Sequence, residues 1–172
     1  MGEILVLRLV HVLGGVFWVG AALLNFIYIA PALAAAGPAA AGPVMATLRQ
    51  RKLFVVLPTV ALLTILSGLR LIMITSNGFD ARYFQSPVGA TFAGAGGLAI
   101  LAFVLGLALA MPAQKRMAVL GPQIAAATDD ASRSAAQAEM GRLQQRLRVI
   151  GPVVTGLLLL AAAGMAVARY VS

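Results

Sequence analysis

One apolar stretch near the start of the chain carries the residues best suited to chemistry. His11, Trp18 and Asn25 follow one another at intervals of seven residues. Two turns of an α-helix take about seven residues, so these side chains are predicted to share one face of a membrane-buried helix. His11 is the only histidine in the chain. A neutral imidazole can ligate a haem iron or a copper ion, and it can shuttle protons near neutral pH.

Each of these residues also has a purely structural explanation. A lone histidine in a helix bundle often forms a hydrogen bond to a neighbouring helix, and Trp18 and Asn25 suit packing and helix association. A haem with two protein ligands would need more than His11. The second ligand could be Met73 or Met165, or the His11 of a second copy of the chain.

Three arginines lie toward the same predicted side of the membrane as His11. Arg8, Arg70 and Arg169 would suit the propionates of haem b, because guanidinium groups pair well with carboxylates. The alternative is that they anchor the helix ends by reaching toward lipid headgroups. Copper has weaker support, since the chain has no cysteine and its methionines form no cluster.

The composition is that of a membrane protein. Of 172 residues, 61% are hydrophobic and 10% are charged, whereas soluble domains are about 45–50% apolar and about 25% charged. A lipid bilayer is therefore the expected partner of the apolar surface. The net charge of +8 could suggest nucleic acid, but the basic residues mostly flank apolar segments, as anionic lipid and the positive-inside rule require. No nucleic-acid partner is predicted.

Four apolar segments reach the length of about 20 residues that crosses a bilayer. They cover residues 5–32, 53–75, 89–111 and 149–168. The sequence thus predicts an all-α membrane protein, a bundle of four transmembrane helices in one domain of residues 1–172. Residues 113–147 are more polar and are predicted to form a cytoplasmic helical extension between the third and fourth spans.

Local signals mark several predicted helix boundaries. Gly37-Pro38 and Gly42-Pro43 are typical of helix stops, and Asn77-Gly78 is typical of a turn. Gly121-Pro122 is predicted to interrupt the extension. Thr128-Asp129-Asp130 resembles an N-cap followed by an acidic first turn, which indicates a helix start.

The connecting loops predict the orientation of the chain. The first and third loops hold most of the lysines and arginines, so both are predicted to be cytoplasmic, with both termini outside a bacterial-type inner membrane. The third span carries Gly89, Ala93 and Gly97 at intervals of four residues. Small residues at this spacing allow close helix approach, which makes a homodimer or another membrane protein a plausible partner.

The first span also resembles known families. The stretch LRLVHVLGGVFWVGAALLNFIYIAPAL is similar to the opening helix of CopD-like (copper-resistance D type) membrane domains, and more distantly to that of the HemJ-type protoporphyrinogen oxidase. The later stretch SGLRLIM, residues 67–73, looks like the small four-span relatives. The matching positions of the first span are His11, Gly15, Trp18, Gly20, Tyr28 and Pro31.

The resemblance implies a four-helix membrane unit, tied in some relatives to haem or porphyrin and in others to copper. This chain has no lysine inside a span and has a long extension, which departs from the HemJ-type pattern, so the oxidase reaction is not implied.

Three hypotheses follow. The first is a protein that binds b-type haem through His11, with Arg8 and Arg70 near the propionates and a redox or haem-handling role. The second is a carrier of a small solute or metal ion, with the stripe of His11, Trp18 and Asn25 lining its path. The third is an accessory membrane subunit without catalysis.

Overall fold

The computed structural model describes residues 2–171, apart from the side chains of residues 38 and 39. Every regular element in this part of the chain is a helix. The helices are α1 (Gly2–Leu24), α2 (Ala30–Gln50), α3 (Leu53–Thr75), α4 (Ala81–Gln85), α5 (Pro87–Leu105), α6 (Met111–Ala126) and α7 (Asp130–Val167). Two π-helical turns and one 3₁₀ turn complete them, at Asn25–Ile29, Gly106–Ala110 and Ala168–Tyr170.

Four continuous helical stretches are long and apolar enough to cross a membrane. They are Gly2–Gly37, Leu53–Thr75, Pro87–Ala126 and Asp130–Tyr170. The predicted all-α fold with four spans is therefore confirmed. The second stretch is a single helix, whereas π turns join α1 to α2 and α5 to α6 within the first and third.

The long helices form two antiparallel pairs. Glu3 meets Arg70, while Gly14, eleven residues further along α1, faces Val60, so α1 and α3 run in opposite directions. α5 packs on α7 in the same way, with Gly164 against Ala95. Contacts between α1 and α7 and between α3 and α5 close the two pairs into a four-helix bundle.

The core of the bundle takes one residue from each long helix. Trp18 of α1, Ala61 of α3, Ala102 of α5 and Leu158 of α7 are all buried and in one cluster. The Trp18 ring meets Phe103 edge-on, with ring centroids 6.1 Å apart. One large ring surrounded by alanines lets four helices approach closely while still filling the centre.

The outer faces of the helices are apolar. Leu5, Val55 and Leu160 are each more than 60% exposed. Exposing such side chains to water costs roughly 25 cal/mol per Å² of apolar surface, whereas acyl chains cover them without that cost. The chain is thus an integral membrane protein whose outer face is solvated by lipid.

Several helix boundaries agree with the sequence signals. Asp129 caps α7 by accepting a hydrogen bond of 2.7 Å from the backbone N–H of Ser132. Asn77 and Gly78 adopt φ values of 52° and 83° in the loop after α3, as expected of a turn built on Asn-Gly. Gly37 leaves the helical conformation with φ 77° and ψ 174°, so the first predicted stop is confirmed.

Two predicted interruptions are wrong. α2 continues through Gly42-Pro43 to Gln50, and α6 continues through Gly121-Pro122 to Ala126. A proline inside a helix removes one hydrogen bond but does not always end the helix. Pro43 and Pro122 are both exposed, so solvent can satisfy the carbonyl groups that lose their N–H partners.

α6 and the first half of α7 form the extension as an antiparallel helical hairpin. Its seam is made of residues spaced three or four apart, which is typical of coiled-coil packing. The seam residues are Ala113, Met117, Leu120 and Ile124 on α6, and Ala136, Met140, Leu143 and Leu147 on α7. Arg116 donates two hydrogen bonds to Glu139, of 2.7 and 2.8 Å, beside the seam. The part of α7 before residue 149 is about 28 Å long at 1.5 Å per residue.

Candidate functional site

A hydrogen bond from His11 on α1 to α3 determines which nitrogen of the imidazole carries the proton. Its Nδ1 atom lies 2.8 Å from the backbone carbonyl oxygen of Thr64. A carbonyl oxygen can only accept, so Nδ1 carries the proton and donates. In the neutral ring, Nε2 is then left with a free lone pair. That lone pair is the only part of the imidazole that can still bind a metal ion or accept a proton.

A glycine on α3 makes room for the imidazole. A Cβ atom added at Gly68 would lie 2.6 Å from His11 Cε1 and 2.9 Å from Nδ1. Any side chain at this position would push the ring away, so the ring lies directly against the backbone of α3. The sequence analysis did not single out Gly68. The sequence feature that could have identified Gly68 is its position as a single glycine within an apolar helix, where glycine often allows a neighbouring helix or side chain to pack closely.

The carbonyl that holds His11 belongs to a small polar cluster. Thr64 Oγ1 donates to the Val60 carbonyl at 2.8 Å, and the Ser67 hydroxyl is shared between the carbonyl oxygens of Leu63 at 2.7 Å and Thr64 at 3.0 Å. Thr64 and Ser67 are both buried. Gly14 of α1 packs directly against the Thr64 hydroxyl. We call His11, Gly14, Thr64, Ser67 and Gly68 the His11 cluster, and it fixes the imidazole in one orientation.

The Nε2 atom of His11 reaches the surface of the bundle. His11 is half-buried. Nε2 makes no hydrogen bond to any described residue, yet no described side-chain nitrogen or oxygen is buried without a partner. The lone pair therefore faces outward from the chain and is open to a ligand.

Two of the three residues of the predicted stripe, His11 and Trp18, lie at least partly inside the bundle. Trp18 is 7% exposed and fills the core, as described above. Asn25 is exposed, so its predicted interior position is wrong. The antiparallel register of α1 and α3 explains this, because α3 begins at Leu53 and provides no neighbour at the level of Asn25. Asn25 also opens a π turn, where the helical phase changes.

The arginines of the outer end have different partners. Arg70 donates to Glu3, with Nε and Nη2 at 2.8 and 2.7 Å from the same carboxylate oxygen. Arg8 is exposed and forms no ion pair with a described residue. It lies three residues from His11, about 4.5 Å along α1. Arg169 is exposed in the 3₁₀ turn that follows α7. The partnership of Glu3 with Arg70 was not anticipated, although antiparallel neighbours place the start of one helix beside the end of the other.

Of the two candidate methionines, Met73 lies away from His11. It follows Gly68 by five residues, which places it about 140° around α3 from the face that contacts His11. Met165 follows the core residue Leu158 by seven residues, on the same face of α7, so it stays a candidate second ligand. Within residues 2–171, no three His, Cys, Asp or Glu side chains are close enough together to hold a metal ion. The described chain thus offers His11 as a single strong ligand.

An apolar groove lies between α1 and α3, next to the His11 cluster, with which it shares Gly14. Its volume is about 390 Å³. It is lined by Leu9, Val10, Leu13, Gly14, Phe17, Val60 and Leu63. A flat apolar molecule could lie along this groove within the membrane.

Comparisons with known proteins add no further guide to the site. No family model, no curated protein and no solved structure matches this chain. The resemblance of the first span to CopD-like and HemJ-type proteins therefore stays a prediction.

Proposed function

We propose that this integral membrane protein binds b-type haem with His11 Nε2 as an axial ligand, in a redox or haem-handling role. The hydrogen bond from Nδ1 to the Thr64 carbonyl is the observation that supports it most. Histidines that bind metals almost always donate their other ring N–H to a carbonyl or carboxylate, which fixes the tautomer and raises the basicity of the ligating nitrogen. His11 has this arrangement.

The residues around His11 fit a haem in part. The groove between α1 and α3 borders the His11 cluster at Gly14, although His11 itself does not line it, and its apolar walls would suit a macrocycle. Arg8 offers an exposed cation for a propionate. Arg70 is held by Glu3, so it would pair with a propionate only by exchanging one carboxylate for another. A second protein ligand would be Met165 or the His11 of another copy of the chain, and water would bind where neither does. When bound, the group supplies a one-electron iron couple.

The roles of the protein residues follow from their contacts. His11 provides the lone pair, and the Thr64 carbonyl keeps the imidazole in the correct tautomer. Gly68 lets the ring stay close to α3. A copper site has less support, since the described residues hold no group of three His, Cys, Asp or Glu side chains and a lone imidazole holds copper poorly.

A second candidate is an accessory membrane subunit without catalysis. The same hydrogen bond from His11 to Thr64 joins α1 to α3, and Trp18 fills the centre of the bundle. Both features would serve a purely structural protein. The carrier hypothesis has less support, because Trp18 closes the middle of the bundle and Asn25 lies outside it.

Visible spectra of the purified protein test the proposal. The protein would be produced in haem-replete cells and measured air-oxidised and dithionite-reduced. We expect a Soret band with reduced α and β bands, which His11→Ala removes. Met73→Leu is the matched control, since Met73 lies on another side of α3 and its loss should leave the bands in place. A colourless protein would refute haem binding and favour the accessory role, whereas bands that survive His11→Ala would refute ligation by His11.

A further inference from the structure

One face of α7 changes abruptly from cationic to apolar. Arg142, Arg146, Val149, Val153 and Leu160 lie within about 60° of one another around the helix at 100° per residue. All five are exposed, with Val149 65%, Val153 49% and Leu160 61% exposed. We call these residues the α7 stripe. The valines and the leucine face acyl chains, so the change at Val149 marks the edge of the hydrocarbon layer.

The side chains of the two arginines of the stripe can reach the headgroup layer. Arg146 is about 4–5 Å and Arg142 about 10 Å beyond Val149 along the helix axis. The headgroup layer is roughly 5–7 Å deep on each side of a bilayer. Guanidinium groups on flexible stems therefore reach lipid phosphates from both positions.

The two arginines of the stripe have no ion-pair partner among the described residues. Arg142 attracts Glu139, but that carboxylate is bonded to Arg116, and Arg142 itself has only a long hydrogen bond of 3.4 Å from Nε to the Ala138 carbonyl. By contrast, Arg133 lies far from the membrane on the same helix and is held by Asp130 and by the Ala127 carbonyl. Arg142 and Arg146 therefore keep guanidinium N–H groups open for an external anion.

We propose that the α7 stripe binds an anionic phospholipid. Its phosphate pairs with Arg142 and Arg146, and one acyl chain lies along Val149, Val153 and Leu160. Guanidinium groups bind phosphate oxygens through paired, charge-assisted hydrogen bonds. A soluble phosphate would contact only the two arginines of the stripe, whereas a lipid would contact both the arginines and the apolar residues.

Native mass spectrometry of the full chain in detergent tests this site. The protein would be mixed with equal amounts of dioleoylphosphatidylglycerol and dioleoylphosphatidylcholine. We expect preferential retention of the anionic lipid, lowered about 5-fold by Arg146→Gln and about 25-fold by Arg142→Gln with Arg146→Gln. Arg133→Gln removes the same charge from the same helix about 20 Å further out, and it should leave retention unchanged.

Three results would overturn the proposal. Equal retention of the two lipids by the unaltered protein would show that headgroup charge is not recognised. An equal loss in Arg133→Gln would show that only net charge matters. Displacement of the bound lipid by millimolar inorganic phosphate would show a site for soluble anions. Circular dichroism of each variant shows that the helices are intact, so a loss of retention reports on the site.

Discussion

The contact between Gly68 and His11 gives the sharpest stability prediction. In Gly68→Ala the new methyl carbon would lie 2.6 Å from His11 Cε1, well inside ordinary van der Waals contact, which begins at 3.4 Å. The ring must retreat by about 0.8 Å, because the backbone of α3 cannot yield as easily. Its hydrogen bond of 2.8 Å to the Thr64 carbonyl would then be stretched or lost.

The size of the effect follows from three terms. Overpacking costs about 1–3 kcal/mol, and the lost interhelical hydrogen bond costs about 0.6–1.7 kcal/mol in a membrane bundle. The higher helix propensity of alanine offsets about 1 kcal/mol. We expect Gly68→Ala to lower the free energy of unfolding by roughly 1–4 kcal/mol. Gly97→Ala is the control, since a Cβ at this exposed position meets nothing within 4 Å, and it should be neutral or slightly stabilising.

Unfolding in mixed micelles titrated with sodium dodecyl sulfate, followed by circular dichroism, measures these differences. The decisive variant combines Gly68→Ala with His11→Ala. Without the imidazole the new methyl group has room, so the alanine at position 68 should cost nothing in this background. Equal stability of Gly68→Ala and Gly97→Ala would refute the close contact. A penalty that persists without His11 would show that another group is displaced.

Two further predictions concern the core and the hairpin. Trp18→Ala should lower the free energy of unfolding by about 3–5 kcal/mol in the same titration, and a loss below about 1 kcal/mol would contradict its central position. The Ser132 hydroxyl and backbone N–H hold the pKa of Asp129 below its ordinary value. A lowered pKa means that the cap is intact above pH 3.8 and is lost as the pH falls below it. Hydrogen exchange of the backbone amides in the first turn of α7, corrected for intrinsic rates, should become faster as the pH falls through that range. In Asp129→Ala the same amides should exchange faster already at neutral pH. A corrected exchange rate that does not change with pH would contradict the cap.

Hydropathy and local turn chemistry were enough to predict the fold. Each of the four apolar stretches exceeds the thickness of a bilayer, and helices are the only way for such single segments to satisfy their backbone in lipid. Asp129 and Asn77-Gly78 act within a few residues of sequence, so their effects are visible locally. The helix through Gly121-Pro122 was not predictable in this way. Pro122 destabilises α6 locally, by removing one backbone hydrogen bond. The packing of α6 on α7 outweighs that loss, and it depends on contacts between residues that are distant in sequence.

The candidate site was predictable only in part. His11 stood out because it is unique and lies in an apolar span. The residues that define its chemistry, Thr64 and Gly68, lie more than fifty positions away and meet it only through the register of α1 against α3. The same register brings Glu3 to Arg70 and leaves Asn25 without a neighbour. Hydrophobic periodicity gives the facing side of a helix but not its axial alignment with another helix, so these pairings could not be predicted.

Because α7 is continuous, it connects the helical hairpin mechanically to the four-helix bundle. Pro152 lies within the helix, three residues into the membrane part, and it leaves the carbonyl of Arg148 without its usual N–H partner. The helix therefore bends more easily there than elsewhere. From Pro152 to Asp130 the arm is about 33 Å long. A bend of about 10° at the proline would move the tip of the hairpin by about 6 Å. A bend at Pro152 would therefore move the hairpin tip by a large distance while Leu158, six residues beyond the proline in the bundle core, moves little.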